Sequence, residues 1–367
     1  MRSFRLCMLA SCALMMAASL PAPAMAEEGC PPVPAPQTMD NAAFYGYVHT
    51  FDSRCASHRN WDRSFDDVQV STMVDGRNRL SVTAATSLGG ALASLRVNER
   101  EFLASGGHGS ALQWAFHAWN GGAGSECYNP TQAGSRADDA GPPPFHGPST
   151  SALYVQSPIG TASLRTTSRL AMYIPRSSTT PGYGGCIASD HQPDRSPFTF
   201  GLSPYWLDTL VQLGPDNTLR GLDNVVRLTA HLTSEDTYHQ GFDGVVAIYL
   251  QRTFTATFDY DPATGQLTRH QSDFAASHPV IRCTADQAYC LGTYFPRSAM
   301  PSAYYWIQTE GATPYNGMSG AFIEQITVPA SGVGQGGLTR LDYEAYLAVG
   351  NLSRVMSTLD SLDSQRP

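Results

Sequence analysis

From Val68 onward the chain is cut into short runs of β-branched and aromatic residues by glycine, proline, asparagine and aspartate. Such runs occupy 80–86, 91–97, 168–174, 225–232, 244–258, 289–295 and 343–349. With 33 glycines and 25 prolines as breakers, long amphipathic helices have no room to propagate, and the pattern predicts an all-β fold, a large antiparallel β-sandwich. The one helical period is terminal: Leu352, Val355, Met356, Leu359 and Leu362 recur at helical spacing after Asn351, predicting a short C-terminal helix. No fixed-period repeat appears, which argues against solenoids and propellers. The expected organisation is a leader over 1–26, a Pro-rich extension over 27–66, one β-sandwich over 67–350 and the helix over 351–367.

The leader reads as a signal peptide. Arg2 and Arg5 precede an apolar run from Leu6 to Leu20, and Ala24-Met25-Ala26 has the small-x-small form of a cleavage site. Leu9-Ala10-Ser11-Cys12 resembles a lipobox, but it stands too early in the apolar run to be preferred. After residue 26 no apolar stretch reaches the roughly 20 residues of a membrane span, so the mature chain is expected to be secreted or periplasmic, without membrane insertion. Removing Arg2 and Arg5 from the 23 basic residues, all of them arginine, leaves 21 against 31 acidic ones. The lack of lysine excludes Schiff-base, P-loop-lysine and Ser-Lys chemistry. The acidic balance argues against a nucleic-acid partner, and nothing in the sequence reads out the oligomeric state.

Six cysteines remain after processing: Cys30, Cys55, Cys127, Cys186, Cys283 and Cys290. An even number in an exported chain reads as disulfides. Sequence-order pairing joins Cys30 to Cys55, Cys127 to Cys186 and, across the hairpin turn Thr284-Ala285-Asp286-Gln287, Cys283 to Cys290, although composition leaves the connectivity open. No C-x-x-C spacing supports zinc, and no cofactor is expected.

The densest chemistry lies in 106–146, a turn-rich stretch with three histidines, Glu126, the adjacent Asp138 and Asp139, and several aromatic and amide side chains. Sugars are held by aromatic faces and by planar amides or carboxylates that hydrogen-bond hydroxyl pairs. Trp114, Trp119 and Tyr128 are the candidate platform, and His108, Gln113, Asn120, Asn129 and Gln132 the candidate readers of hydroxyls. Trp114 and Phe116 equally fit the core side of an alternating strand over 113–118. Glu126, pinned beside Cys127, is the candidate general acid, and Asp139 the second carboxylate of a glycosidase, with Arg136 beside it. A metal on His108, His117 and His146 has no recognisable spacing.

A resemblance to a known family is carried by 89–103, GGALASLRVNEREFL. It resembles an opening hairpin of galactose mutarotase-like proteins, where two glycines lead into a strand, a small turn follows and an acidic-hydrophobic pair starts the return. Ala91, Ala93 and Leu95 alternate, Asn98 turns the chain, and Phe102 and Leu103 resume packing. Downstream, 258–267 reads as strand, turn at Pro262 and Gly265, strand; 278–281 and 290–294 read as successive strands. These are similar to the large β-supersandwiches of sugar mutarotases, several polysaccharide lyases and some glycoside-hydrolase modules. The resemblance implies a fold and a carbohydrate substrate, and assigns no catalytic residue.

A second cluster spans 231–239, HLTSEDTYH. A turn over 234–237 between two strands brings His231 and His239 together with Tyr238 alongside, the base and acid of a polysaccharide lyase, with Gln113, Asn129 or Arg136 to neutralise a uronate carboxylate. No G-x-S-x-G, H-E-x-x-H or phosphate-binding loop occurs. The functional expectation is an exported carbohydrate-active enzyme, a glycoside hydrolase first, a lyase second, with a non-catalytic glycan-binding or envelope protein as the remaining class.

Overall fold

The computed structural model describes residues 68–85, 90–104, 111–119, 125–129, 152–157, 161–172, 202–234, 241–272, 274–297, 304–308, 322–327 and 339–366. In chain order its strands are β1 (Val68–Val74), β2 (Asn78–Ala84), β3 (Leu92–Val97), β4 (Arg100–Glu101), β5 (Leu112–Trp119), β6 (Ser125–Asn129), β7 (Ala152–Gln156), β8 (Ser163–Met172), β9 (Leu202–Leu213) and β10 (Val225–Ser234). They continue as β11 (Gly241–Tyr249), β12 (Ala256–Asp261), β13 (Gln266–His270), β14 (Phe274–Ala276), β15 (Val280–Cys283), β16 (Cys290–Tyr294), β17 (Tyr304–Gln308), β18 (Phe322–Thr327) and β19 (Thr339–Gly350), and the helix α1 (Leu352–Gln365) follows.

Every described pairing is antiparallel, and the pairings arrange the strands in two layers. One runs β13-β12-β15-β16-β19-β10-β9-β8, with β7 along the free edge of β8. The other runs from β1, β2 and β3 through β5 to β11, β18, β17 and β14. β6 pairs with β5 and also with the end of β8, so it stitches the layers at one seam. Between them lies the main core, where Leu112, Trp114, Phe116 and Ala118 of β5 meet Leu207, Val211, Leu228, Ala230, Leu232, Tyr343, Ala345 and Leu347. The Trp114 and Phe116 rings each stand 5.7 Å from Tyr343. A β-sandwich is what the alternation of the sequence predicts.

The turns form for the reasons their residues suggest. Asn98 takes a left-handed φ of 53°, and its side-chain oxygen accepts the Arg79 backbone N–H at 2.8 Å, the local bonding that makes asparagine tolerant of this region. At the β12–β13 turn, Asp261 accepts from the Ala263 N–H and the Thr264 hydroxyl, while Gly265 supplies φ 71°. Gly90 combines φ 84° with a close approach: a Cβ there would lie 3.0 Å from Cβ of Thr166 on the facing layer.

One expected strand is two. The run 244–258 divides at Leu250, which bridges to Leu103, and polar Gln251, Arg252 and Thr253 carry the chain from one layer to the other. Gln251 spends its amide on the Leu103 carbonyl at 2.6 Å, so an apolar run that looks continuous is a crossover.

α1 starts at Asn351, whose Oδ1 accepts the Arg354 N–H at 2.9 Å, an N-cap. It lays Val355, Leu359 and Leu362 on Ala256, Phe258, Ile281, Cys283, Cys290 and Ala348, the outer face of the first layer. Gly292 is flat beneath it, since a Cβ there would meet Val355 Cγ1 at 2.5 Å. Cys283 and Cys290, partners in the β15–β16 register, are bridged as expected. Cys127 lies on β6, and Cys30, Cys55 and Cys186 fall outside the described residues, as do the leader and the extension. No described helix is long and apolar enough to cross a membrane.

Candidate functional site

The outer face of β8, β9, β10 and β19 is polar although the inner face of the same strands is core. Alternation assigns the two sides: on β10, Val226, Leu228, Ala230 and Leu232 enter the core, so Arg227, Thr229, His231 and Thr233 face outward. Register then lines up residues from four strands. Thr167 of β8 stands opposite Asp208 of β9, Asp208 opposite His231 of β10, and His231 opposite Asp342 of β19. The neighbouring row joins Arg165, Leu210, Thr229 and Glu344.

Within these rows the polar groups pair closely. His231 Nδ1 bonds Asp342 Oδ1. A carboxylate at Nδ1 fixes the tautomer and leaves Nε2 as the basic nitrogen. The imidazole is 20% exposed and the Asp342 side chain 60%, so the pair reaches solvent. Asp208, 2% exposed, is gripped by Arg165 through Nε–Oδ1 and Nη2–Oδ2 bonds, both 2.7 Å, and accepts from Thr167 Oγ1 at 3.0 Å. Glu344 receives Arg227 Nε at 2.7 Å, Tyr346 Oη at 2.6 Å and Arg366 Nη2 at 2.6 Å. Burial alone raises the Glu344 carboxyl pKa, but the hydrogen bonds from Tyr346 and Arg366 and the Arg227 charge outweigh it and hold the group below its ordinary value. The same contact, with burial, pushes the Tyr346 phenol up to about 12. Trp206, half-buried, shares the outer face of β9 and stands opposite Thr233, one row from His231.

Of the residues singled out in the sequence, His231 is the one set in a described constellation, and its partner is Asp342. The hairpin expected over 234–237 does not arise by strand pairing: both edges of β10 are taken by β9 and β19, while β11 pairs with β5 and β18. His239 and Tyr238 lie outside the described residues, as do His108, His146, Asn120, Gln132, Arg136, Asp138 and Asp139. Glu126, Tyr128 and Asn129 are on β6, Glu126 paired in register with Ala118 and Tyr128 with Phe116, and Trp119 ends β5. Gln113 is 3% exposed and Trp114 2% exposed. Both line a cavity of about 20 Å³ between the layers, with Thr166, Ser168, Leu207 and Leu228. That volume suits a single water, and it lies on the inner side of β9 and β10, away from His231. The core placement of Trp114 is the one its alternating strand allowed.

Asp208, Trp206, Arg165 and Asp342 were not anticipated. A signal for Asp208 does exist, for it is the lone charge within the apolar run 205–213, where an acid needs a partner. Among the described residues no three metal-binding side chains converge.

No protein-family model and no curated protein matches the chain. Among solved structures it is similar to a galactose mutarotase related enzyme from Lactobacillus acidophilus, 11% identical, over 78% of this chain and 98% of that one, with TM-score 0.41. It is similar to the Slr1438 protein from Synechocystis sp. PCC 6803, 12% identical, over 77% and 96%, with TM-score 0.40. Heparan sulfate lyase HepC from Pedobacter heparinus is 9% identical over 75% of this chain and 34% of that one, with TM-score 0.37. The mutarotase-related and lyase structures are of the group that the 89–103 hairpin resembles.

Proposed function

We propose that the protein is an exported carbohydrate-active enzyme that binds a polysaccharide or oligosaccharide on the outer face of β8, β9, β10 and β19 and acts by acid–base chemistry at His231. The observation that carries this is the hydrogen-bonded His231–Asp342 pair, reaching solvent beside an indole. A histidine held at Nδ1 by a carboxylate presents a basic Nε2, and Trp206 offers an apolar face of the kind on which sugar rings stack. The disulfide Cys283–Cys290 supports an oxidising compartment and hence export.

Elimination uses this pair most directly: His231 takes the proton α to a uronate carboxylate, and the glycosidic C–O bond breaks with formation of a C=C bond. Glycoside hydrolysis through Glu126 and Asp139 is the second reading. It is favoured by the position of Glu126 on β6, the strand that joins the two layers.

The test is incubation of the purified protein with a panel of uronate-containing and neutral polysaccharides, reading near-ultraviolet absorbance and reducing ends together. The elimination reading expects absorbance to rise on a uronate polymer, to vanish in His231→Asn and to survive in Glu126→Gln. Reducing ends without absorbance, lost in Glu126→Gln, would replace it with hydrolysis. Binding without turnover on every glycan would leave a glycan-binding protein.

A further inference from the structure

The structure assigns Arg165 a positioning role: we infer that it holds the buried Asp208 carboxylate away from His231, so that the imidazole takes its orientation and its proton from Asp342 alone. The inference rests on the reading of His231 as the base and deepens it.

His231 has a carboxylate as register partner on each side, Asp208 on β9 and Asp342 on β19. Directly opposed residues of antiparallel strands have Cβ atoms about 5 Å apart, close enough for either acid to meet the ring. The buried acid is the stronger competitor, because charge interactions are screened least where solvent is excluded. Two carboxylates bearing on one imidazole would stabilise the imidazolium and remove the base at neutral pH.

Asp208 is prevented from doing so. Both of its oxygens are engaged by Arg165 in a two-point fork at 2.7 Å, and Thr167 adds a third bond at 3.0 Å. The guanidinium neutralises the charge and fixes the carboxylate plane toward β8, a geometry that a lysine ammonium cannot copy. The other charged groups on this face are likewise matched, Glu344 by Arg227 on β10 and by Arg366 beyond α1. Asp342, which bonds the ring at Nδ1, is the acid left to set it.

The test is ¹⁵N NMR of the histidines in the folded full-length protein, with the His231 signal assigned through His231→Asn. The wild type is expected to show the Nδ1–H tautomer. In Arg165→Met the His231 midpoint should rise by about one pH unit, with a mixed tautomer. Where turnover is measurable, the acid limb of kcat/KM should move by the same amount with KM little changed. Adding Asp208→Asn to Arg165→Met should return midpoint and tautomer to wild type, while Asp208→Asn alone should change neither. Arg165→Lys keeps the charge, and so the fold, but loses the fork; an intermediate midpoint is expected. A wild-type His231 signal in Arg165→Lys and in folded Arg165→Met overturns the inference, as does failure of Asp208→Asn to restore it. The NMR readout needs no substrate, so lack of turnover on every glycan would remove the functional reading while these shifts still decide the role of Arg165.

Discussion

The outer face of the first layer has two halves, and they solve opposite problems. Toward β12, β15 and β16 it is apolar, and α1 closes it with Val355, Leu359 and Leu362. Toward β8, β9 and β10 it carries Arg165, Asp208 and His231, joined across strands by hydrogen bonds. Glu344 and Tyr346 of β19 mark the border, where Arg366 reaches from the end of the helix onto Glu344. A sheet face that lacks polar partners must be covered to fold, whereas one whose charges satisfy each other can remain accessible for chemistry. The comparison teaches that stability and function are separable on one surface, and that separation can be attacked experimentally.

Leu359→Ala should have the largest effect. The side chain is fully buried under the helix, and its truncation is expected to cost about 2–5 kcal/mol in denaturant unfolding while the His231 NMR titration stays put. A moved titration would mean that the halves are coupled. Cys283→Ser with Cys290→Ser should cost about 2–4 kcal/mol, read in the same way and again without effect on His231. Gly292→Ala forces Val355 to shift, because the added Cβ would stand 2.5 Å from it; a loss of about 1–3 kcal/mol is expected, largely recovered by the compensating Val355→Ala.

The border gives the pH dependence. Because the folded Glu344 carboxyl titrates below its ordinary value of 4.5, its contribution is complete above that pH and disappears as pH falls through the folded value. Glu344→Gln should therefore flatten the acid limb of a stability–pH curve, and an unchanged limb would remove Glu344 from the account. The smallest stability effect belongs to His231→Asn, expected within about 0.5 kcal/mol of wild type by thermal unfolding although all turnover is lost; a large destabilisation would make His231 a structural residue.

Local chemistry was readable in the chain. Asn98, the Asp261–Gly265 turn, the Cys283–Cys290 bridge and the capped helix at Asn351 all rest on groups within a few residues of one another, so the sequence carries their cause. The site was legible only in part. His231 stood out as ionisable, but the partner expected for it was the near neighbour His239, while the described partner, Asp342, is 111 residues away. Gln113 looked like a reader of hydroxyls and is instead shut between the layers with Trp114.

The difference has one physical origin. Alternation along a strand says which residues share a face, and turn chemistry says where the chain reverses; both are properties of a few consecutive residues, and from them follow the all-β class, the hairpins and the terminal helix. Which strands become neighbours is decided by how two layers bury their apolar faces together, a long-range sum with no local signature. That sum placed β10 between β9 and β19, and only with that placement do Arg165, Asp208, His231 and Asp342 become a constellation.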